Sequence, residues 1–393
     1  MISTQDLPET NPYPHGSKSY LAYNHAYYLF MSSATFDSMC GRVLGFLLQE
    51  APSDEGRLHV ADEINSCTNA KELIELSEWY MKHFISAFHA AKGPTPAPSD
   101  HPSRATPDDE LDMNIDVITE APQDHWTAKR QALKRNRFRC MLSGKFDLAF
   151  HSNLEKKYNE AEYERRRISR AADAASNAPA GSERNSRAAD LAKEVDKQRK
   201  SANHYATALE KFPTNPQLSP TNASHIFAES INANIDVENK KAYAAGIWAA
   251  MDRLGHSSFR DELDGTKIHK LSNILTLDVA LHTSFDRLDL WLEADPIAHT
   301  YRICGLENVV RDLPATVRFT SQHPSYELLD PRYLKMHAVC CRFVHMSGVA
   351  GYVADILDDL DEGETQVLSE DGLSAKLLDF ALLGMRSSRV MIS

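Results

Sequence analysis

No run of eighteen or more apolar residues occurs in the chain, and its first thirty residues lack a basic stretch followed by an apolar one. The first absence argues against a membrane-spanning helix and the second against a secretory leader. An intracellular protein, nuclear or cytoplasmic, is expected. Cysteine is sparse and unpatterned, with six residues at 40, 67, 140, 304, 340 and 341 and no C-x-x-C pair. Adjacent Cys340-Cys341 is poorly suited to a disulfide, so buried thiols in a reducing compartment are expected. Net positive charge is missing too. A formal charge of −12 counts at first against nucleic acid, because phosphate contacts need local cations.

The distribution of charge changes that conclusion. Between Trp126 and Arg170 stand thirteen Lys or Arg against five Asp or Glu. Acidity is concentrated elsewhere, with seven carboxylates from Asp108 to Asp124 and eight from Asp355 to Asp371, neither stretch holding a Lys or Arg. A basic face on an acidic body is expected, although a solvated charged helix explains Glu155 to Arg170 equally well.

At 393 residues the chain has room for two domains, or for one with a large insertion. Phe36, Met39, Cys40, Val43, Leu44 and Leu47 recur at helical spacing, as do Leu73, Leu76, Tyr80, Phe84 and Phe88. Asn69 and Glu72 form a capping box ahead of the second set. A helical module over 1–93 follows, structural or serving a protein partner or homo-oligomer. Five prolines between Gly93 and Pro107 predict an extended linker, continuing as an acidic segment to 125. Residues 126–393 form the second unit. Within it, 150–212 reads as a charged helical hairpin broken at Asn177 to Ser182, with a thin apolar stripe. A β-hairpin is expected after Asp286, from Leu288-Leu290-Leu292 through Asp295-Pro296 to Tyr301-Gly305. Residues 331–393 should hold C-terminal helices, one from Arg332 to Leu360 and a shorter one from Leu373 to Met385.

The chemistry-bearing residues lie in two segments. Ser224-His225-Ile226 is one. The other runs from Asn273 through Leu275, Leu277 and Val279 to His282-Thr283-Ser284-Phe285-Asp286. On a helix the i, i+4 spacing of His282 and Asp286 puts both side chains on one face, where they can share a cation. A surface His with an unrelated Asp is the plainer alternative. Asn273 taken alone reads as a turn former. His337 and His345 read as packed or hydrogen-bonded core residues, and nothing in the spacing of His256 or His269 recruits them.

The ordered set, together with Leu133-Lys134-Arg135-Asn136-Arg137-Phe138-Arg139-Cys140 and the later Phe285-Asp286-Arg287-Leu288, resembles the HNH nucleases, in the branch found as a domain of fungal proteins of unassigned role. The resemblance implies an α+β fold with a ββα-metal core, and a lead-in strand and turn at 133–144. It implies a general-base role for His225, an orienting role for Asn273, and one divalent cation (Mg, Mn, Zn or Ni) on His282 and Asp286. Lys134, Arg135, Arg137 and Arg139 become the expected phosphate contacts, because that lead-in lies near the metal helix in the family. The chain departs from the commonest pattern at Ser224, where a metal-binding Asp or His is usual, and at Ala228, where many relatives have proline. Ser143, three residues after Cys140, removes the zinc knuckle some members carry. The expected activity is hydrolysis of phosphodiesters in nucleic acid, DNA first, with low sequence specificity. The alternatives are a degenerate fold that binds nucleic acid or protein without cutting, and an assembly module.

Overall fold

A computed structural model describes residues 4–88, 122, 124–177, 182–232, 238–322 and 324–351. Four helices open the chain: α1 (Lys18–Phe30), α2 (Thr35–Glu50), α3 (Asp54–Ser66) and α4 (Ala70–Ser86). Ser17, Ser53 and Asn69 cap α1, α3 and α4 by accepting from the backbone N–H of Tyr20, Gly56 and Glu72. The reciprocal bond of the expected capping box falls one residue before the N-cap, where the Glu72 carboxylate accepts from Thr68 N at 2.6 Å. Gly41 lets α2 cross α1 closely, because a Cβ there would lie 2.2 Å from the backbone N of Phe30.

The basic segment begins as α5 (His125–Arg135), capped by Asp124 through Thr127 N. This corrects the expected lead-in strand: the chain is helical to Arg135 and then turns through left-handed Arg137 (φ 56°) and Phe138 (φ 54°). The apolar turns of Ala128 and Ala132 bury against β-structure, and that packing stabilises a helix where a strand was expected. β1 (Phe146–Asp147) leads into a long hairpin of α6 (Leu148–Ser176) and α7 (Ser182–Leu209), which matches the expected insertion. Its apolar packing is concentrated at the base, where Phe138, Phe150, Leu154 and Ala208 cluster and Phe138 stacks on Phe150 at 3.5 Å. Further out, Glu162 pairs with Arg165 and Arg166, and Glu164 with Arg167. Those ion pairs offset much of the positive charge of the hairpin's first arm.

β2 (Leu218–Ser219) pairs parallel with β1, and β3 (Thr221–His225) follows at once. After a 3₁₀ turn at Glu229–Ile231 come α8 (Glu238–Arg253) and α9 (Ser258–Leu263). Further 3₁₀ turns at Gly265–His269 and Leu271–Asn273 lead into β4 (Ile274–Asp278). β3 and β4 are antiparallel, with Thr221 opposite Asp278 and His225 opposite Ile274. Asp278 then caps α10 (Val279–Asp286), so the strand pair passes directly into a helix. The expected β-hairpin follows as β5 (Leu290–Ala294) and β6 (Thr300–Gly305). After the short helix α11 (Glu307–Val310), β7 (Thr316–Arg318) adds to the same sheet.

The last long helix among the described residues is α12 (Pro331–Ser347). The helix expected over 332–360 is interrupted at Gly348, which adopts a left-handed φ of 84° and caps α12; residues 349–351 are helical again, and 352–360 lie outside the described residues. The shorter helix expected at 373–385 lies outside the described residues, as do the proline-rich segment and the boundary at 93. On either side of that boundary the helices share one core: α2 and α4 pack on α12, α4 packs on α8, and Phe84 meets Phe343 at 5.7 Å. The N-terminal helices are thus built into the α+β body.

Candidate functional site

Alternation along β3 sorts its residues between two faces. Ala223 packs with Ala128, Ala132, Leu271, Ile274 and Tyr326, which places Thr221, Ala223 and His225 toward α5. At the end of the strand His225 meets three partners from separate elements. The His125 ring, on the first residue of α5, has its centroid 5.5 Å away. Nδ1 of His269 lies 3.2 Å from His225 Nε2, and Glu229 approaches from the 3₁₀ turn. Ligand atoms of His125, His225 and Glu229 all lie within 4.8 Å of one another. Burial is the main reason the His225 pKa falls to about 3, while Glu229 opposes the fall and His125, His269 and His282 add to it. The His225 ring is therefore neutral throughout the physiological range, a proton or cation acceptor. The Glu229 carboxyl sits below its usual range, chiefly through its hydrogen bond with His125.

The other face of β3 carries Asn222 and Ser224. The Asn222 amide lies 3.4 Å from Nδ1 of His282, and His282 Nε2 lies 3.2 Å from Asp286 Oδ2. The i, i+4 pair thus faces one point, as its spacing implies. In this arrangement His282 accepts at Nδ1 and donates at Nε2. To offer Nε2 to a cation the ring must carry its proton on Nδ1, which the Asn222 carbonyl accepts once the amide is turned over. Ser224 is fully buried, and its Oγ has no hydrogen-bond partner among the described residues. These side chains fit a shared divalent ion through His282 and Asp286, with Asn222 setting the tautomer. Lys129, one turn beyond His125 on α5, reaches Asn222 Oδ1 at 3.5 Å and brings a positive charge to the same place.

Asn273 ties the two faces to their loops. Its Oδ1 accepts from Phe227 N at 2.9 Å, and its Nδ2 donates to Phe227 O at 3.1 Å and Ile268 O at 2.9 Å. One buried amide thereby fixes the chain just after His225 and the turn that delivers His269. Asp278, besides capping α10, accepts from Ser143 Oγ at 2.8 Å, and Met141 N donates to Thr276 O. Hydrogen bonds hold the Cys140 turn against β4.

The basic residues divide. Arg135 is 1% exposed and donates to the carbonyls of Leu271, Ile274 and Glu327, so its assignment as a phosphate contact is corrected. Burial lowers its pKa to about 9. Arg137 and Arg139 are exposed, Arg139 lying over the Phe146 ring, and Lys134 is half-buried. His337 is a core residue as expected, stacked on Phe285 at 3.9 Å, and His345 bonds Leu288 O. His269 does belong to the site, although nothing in its spacing recruits it. His125, Glu229, Asn222 and Lys129 were missed altogether. His125 and Lys129 share one face of α5, but no spacing links that helix to Asn222 on β3 or to Glu229 in the 3₁₀ turn. Compared with known proteins, the chain matches no family model, no curated protein and no solved structure.

Proposed function

We propose that this protein is a metal-dependent endonuclease of HNH type, hydrolysing phosphodiester bonds of nucleic acid, DNA in the first instance, with low sequence specificity. The observation that carries the reading is the strand pair β3–β4 leading into α10. It sets His225 at one strand end, and His282 with Asp286 one helical turn apart beside Asn222 of the same strand. A divalent cation held by His282 and Asp286, when bound, would neutralise charge developing on the phosphate. His225, neutral because it is buried, accepts the proton of the attacking water. Asn273 holds the His225 loop in place and Asn222 orients His282. Lys129 offers its charge to a phosphate beside that pair, while Arg137 and Arg139 make exposed, sequence-independent contacts.

A second reading is favoured by the contact of His225 with His269 and by its low pKa, which weakens it as a base: a scaffold that binds nucleic acid or protein without cutting. Nicking of supercoiled plasmid with Mg²⁺, Mn²⁺, Zn²⁺ or Ni²⁺ decides between them. Cleavage that falls by a factor of about 100 or more in both His225→Ala and His282→Ala supports the nuclease. No cleavage by folded wild type with any metal leaves the binding scaffold.

A further inference from the structure

We infer that His125, His225 and Glu229 form a binding site for a late first-row transition-metal ion, Zn²⁺ by ligand type, distinct from the His282–Asp286 pair. Their ligand atoms converge to within 4.8 Å although they come from the start of α5, the end of β3 and the 3₁₀ turn after it. A tetrahedral zinc with bonds near 2.0–2.1 Å needs its donors roughly 3.3 Å apart. His125 Nδ1 and Glu229 Oε2 already stand at 3.3 Å. Those two side chains are 48% and 46% exposed, so small rotamer changes bring them onto His225, which burial fixes. Ions can enter from the side these two present to solvent.

The donor set discriminates among cations. Two imidazole nitrogens and one carboxylate suit Zn²⁺, Co²⁺ or Ni²⁺, whereas Mg²⁺ prefers oxygen ligands and water. His269 adds the outer support that such sites use, with Nδ1 3.2 Å from His225 and Nε2 3.8 Å from Glu229 Oε1. One carboxylate among neutral imidazoles leaves a net negative site.

An ion here takes a ring nitrogen of His225 as ligand, and that lone pair is then closed to a proton from water. Occupancy therefore inhibits cleavage supported by another metal at His282 and Asp286. Only this inhibition rests on the nuclease reading, since the binding site stands on its own geometry.

Isothermal titration of the metal-stripped full chain with Zn²⁺, backed by the visible absorption of bound Co²⁺, tests the site in wild type, His125→Ala, Glu229→Gln and Asp286→Asn. Circular dichroism establishes that each variant is folded. The expected result is a dissociation constant at least tenfold higher in His125→Ala and Glu229→Gln, with a changed Co²⁺ spectrum, and a value within twofold of wild type in Asp286→Asn. Wild-type affinity in the first two, or an equal loss in Asp286→Asn, overturns the assignment. Failure of every form to nick DNA counts against the nuclease and leaves this result standing.

Discussion

Nε2 of His225 lies 3.2 Å from Nδ1 of His269, so one buried ring donates its hydrogen to the other. Burial lowers both pKa values, His269 lowers that of His225 further, and Glu229 opposes the fall at both rings. The state of His225 is thus coupled to a residue from a different turn.

His269→Phe removes one of the neighbours that lower the His225 pKa. The acid limb of the cleavage profile should therefore move to higher pH, because His225 must be neutral to accept a proton. Rates measured from about pH 3 to 7 check this, and a profile identical to wild type would separate His269 from the chemistry.

Asn273→Ala leaves two carbonyls and one N–H of the buried loops without partners. At about 1 kcal/mol or more for each orphaned group, a loss of about 3 kcal/mol is expected in urea denaturation. Asn273→Asp should not rescue it, since a carboxylate repels the carbonyl oxygens of Phe227 and Ile268.

Arg135 and Arg139 should behave oppositely. Arg135→Met strands three carbonyls and should lower stability by about 2 kcal/mol or more. Arg139→Ala should leave stability within about 0.5 kcal/mol and reduce the salt slope of nucleic-acid binding by about 1. Fluorescence anisotropy across a salt series, beside denaturation curves, reads both.

Acid should destabilise the fold through His225 and His337, both brought down to about 3 by burial. Their folded pKa values lie below the unfolded one, so their stabilising effect is intact above about pH 6.5 and is lost progressively as pH falls toward 3. Each should contribute a slope of about 1.4 kcal/mol per pH unit in that window. Denaturation at pH 7.5 and 5.5 should show it, and His337→Phe should remove its share. A slope unchanged by that substitution would assign the acid sensitivity elsewhere.

Much of the architecture is readable locally. The capping box at Asn69 and Glu72, the break between the two hairpin arms, and the alternation of Leu290 and Leu292 each concern residues within a few positions of one another. The convergence of His282 and Asp286 belongs with them, because helix geometry alone sets the distance. The segment from Leu133 to Arg135 was misread, since the end of α5 depends on the burial of Ala128 and Ala132 against β3, β4 and their flanking turns. Arg135 was misread with it: a charged residue in a basic run looks solvated until three carbonyls are seen to surround it.

The sequence by itself determined helices α2 and α4, the two helical arms between 148 and 209 and the β5–β6 hairpin, because capping, periodicity and alternation act over short stretches of chain. It also determined which residue types stand ready for acid–base and metal chemistry. Only the tertiary structure decided which of them meet. His125, Glu229 and His269 reach His225 because α5 packs over β3 and because Asn273 clasps two distant loops, and such encounters between remote segments leave no periodic trace in the chain.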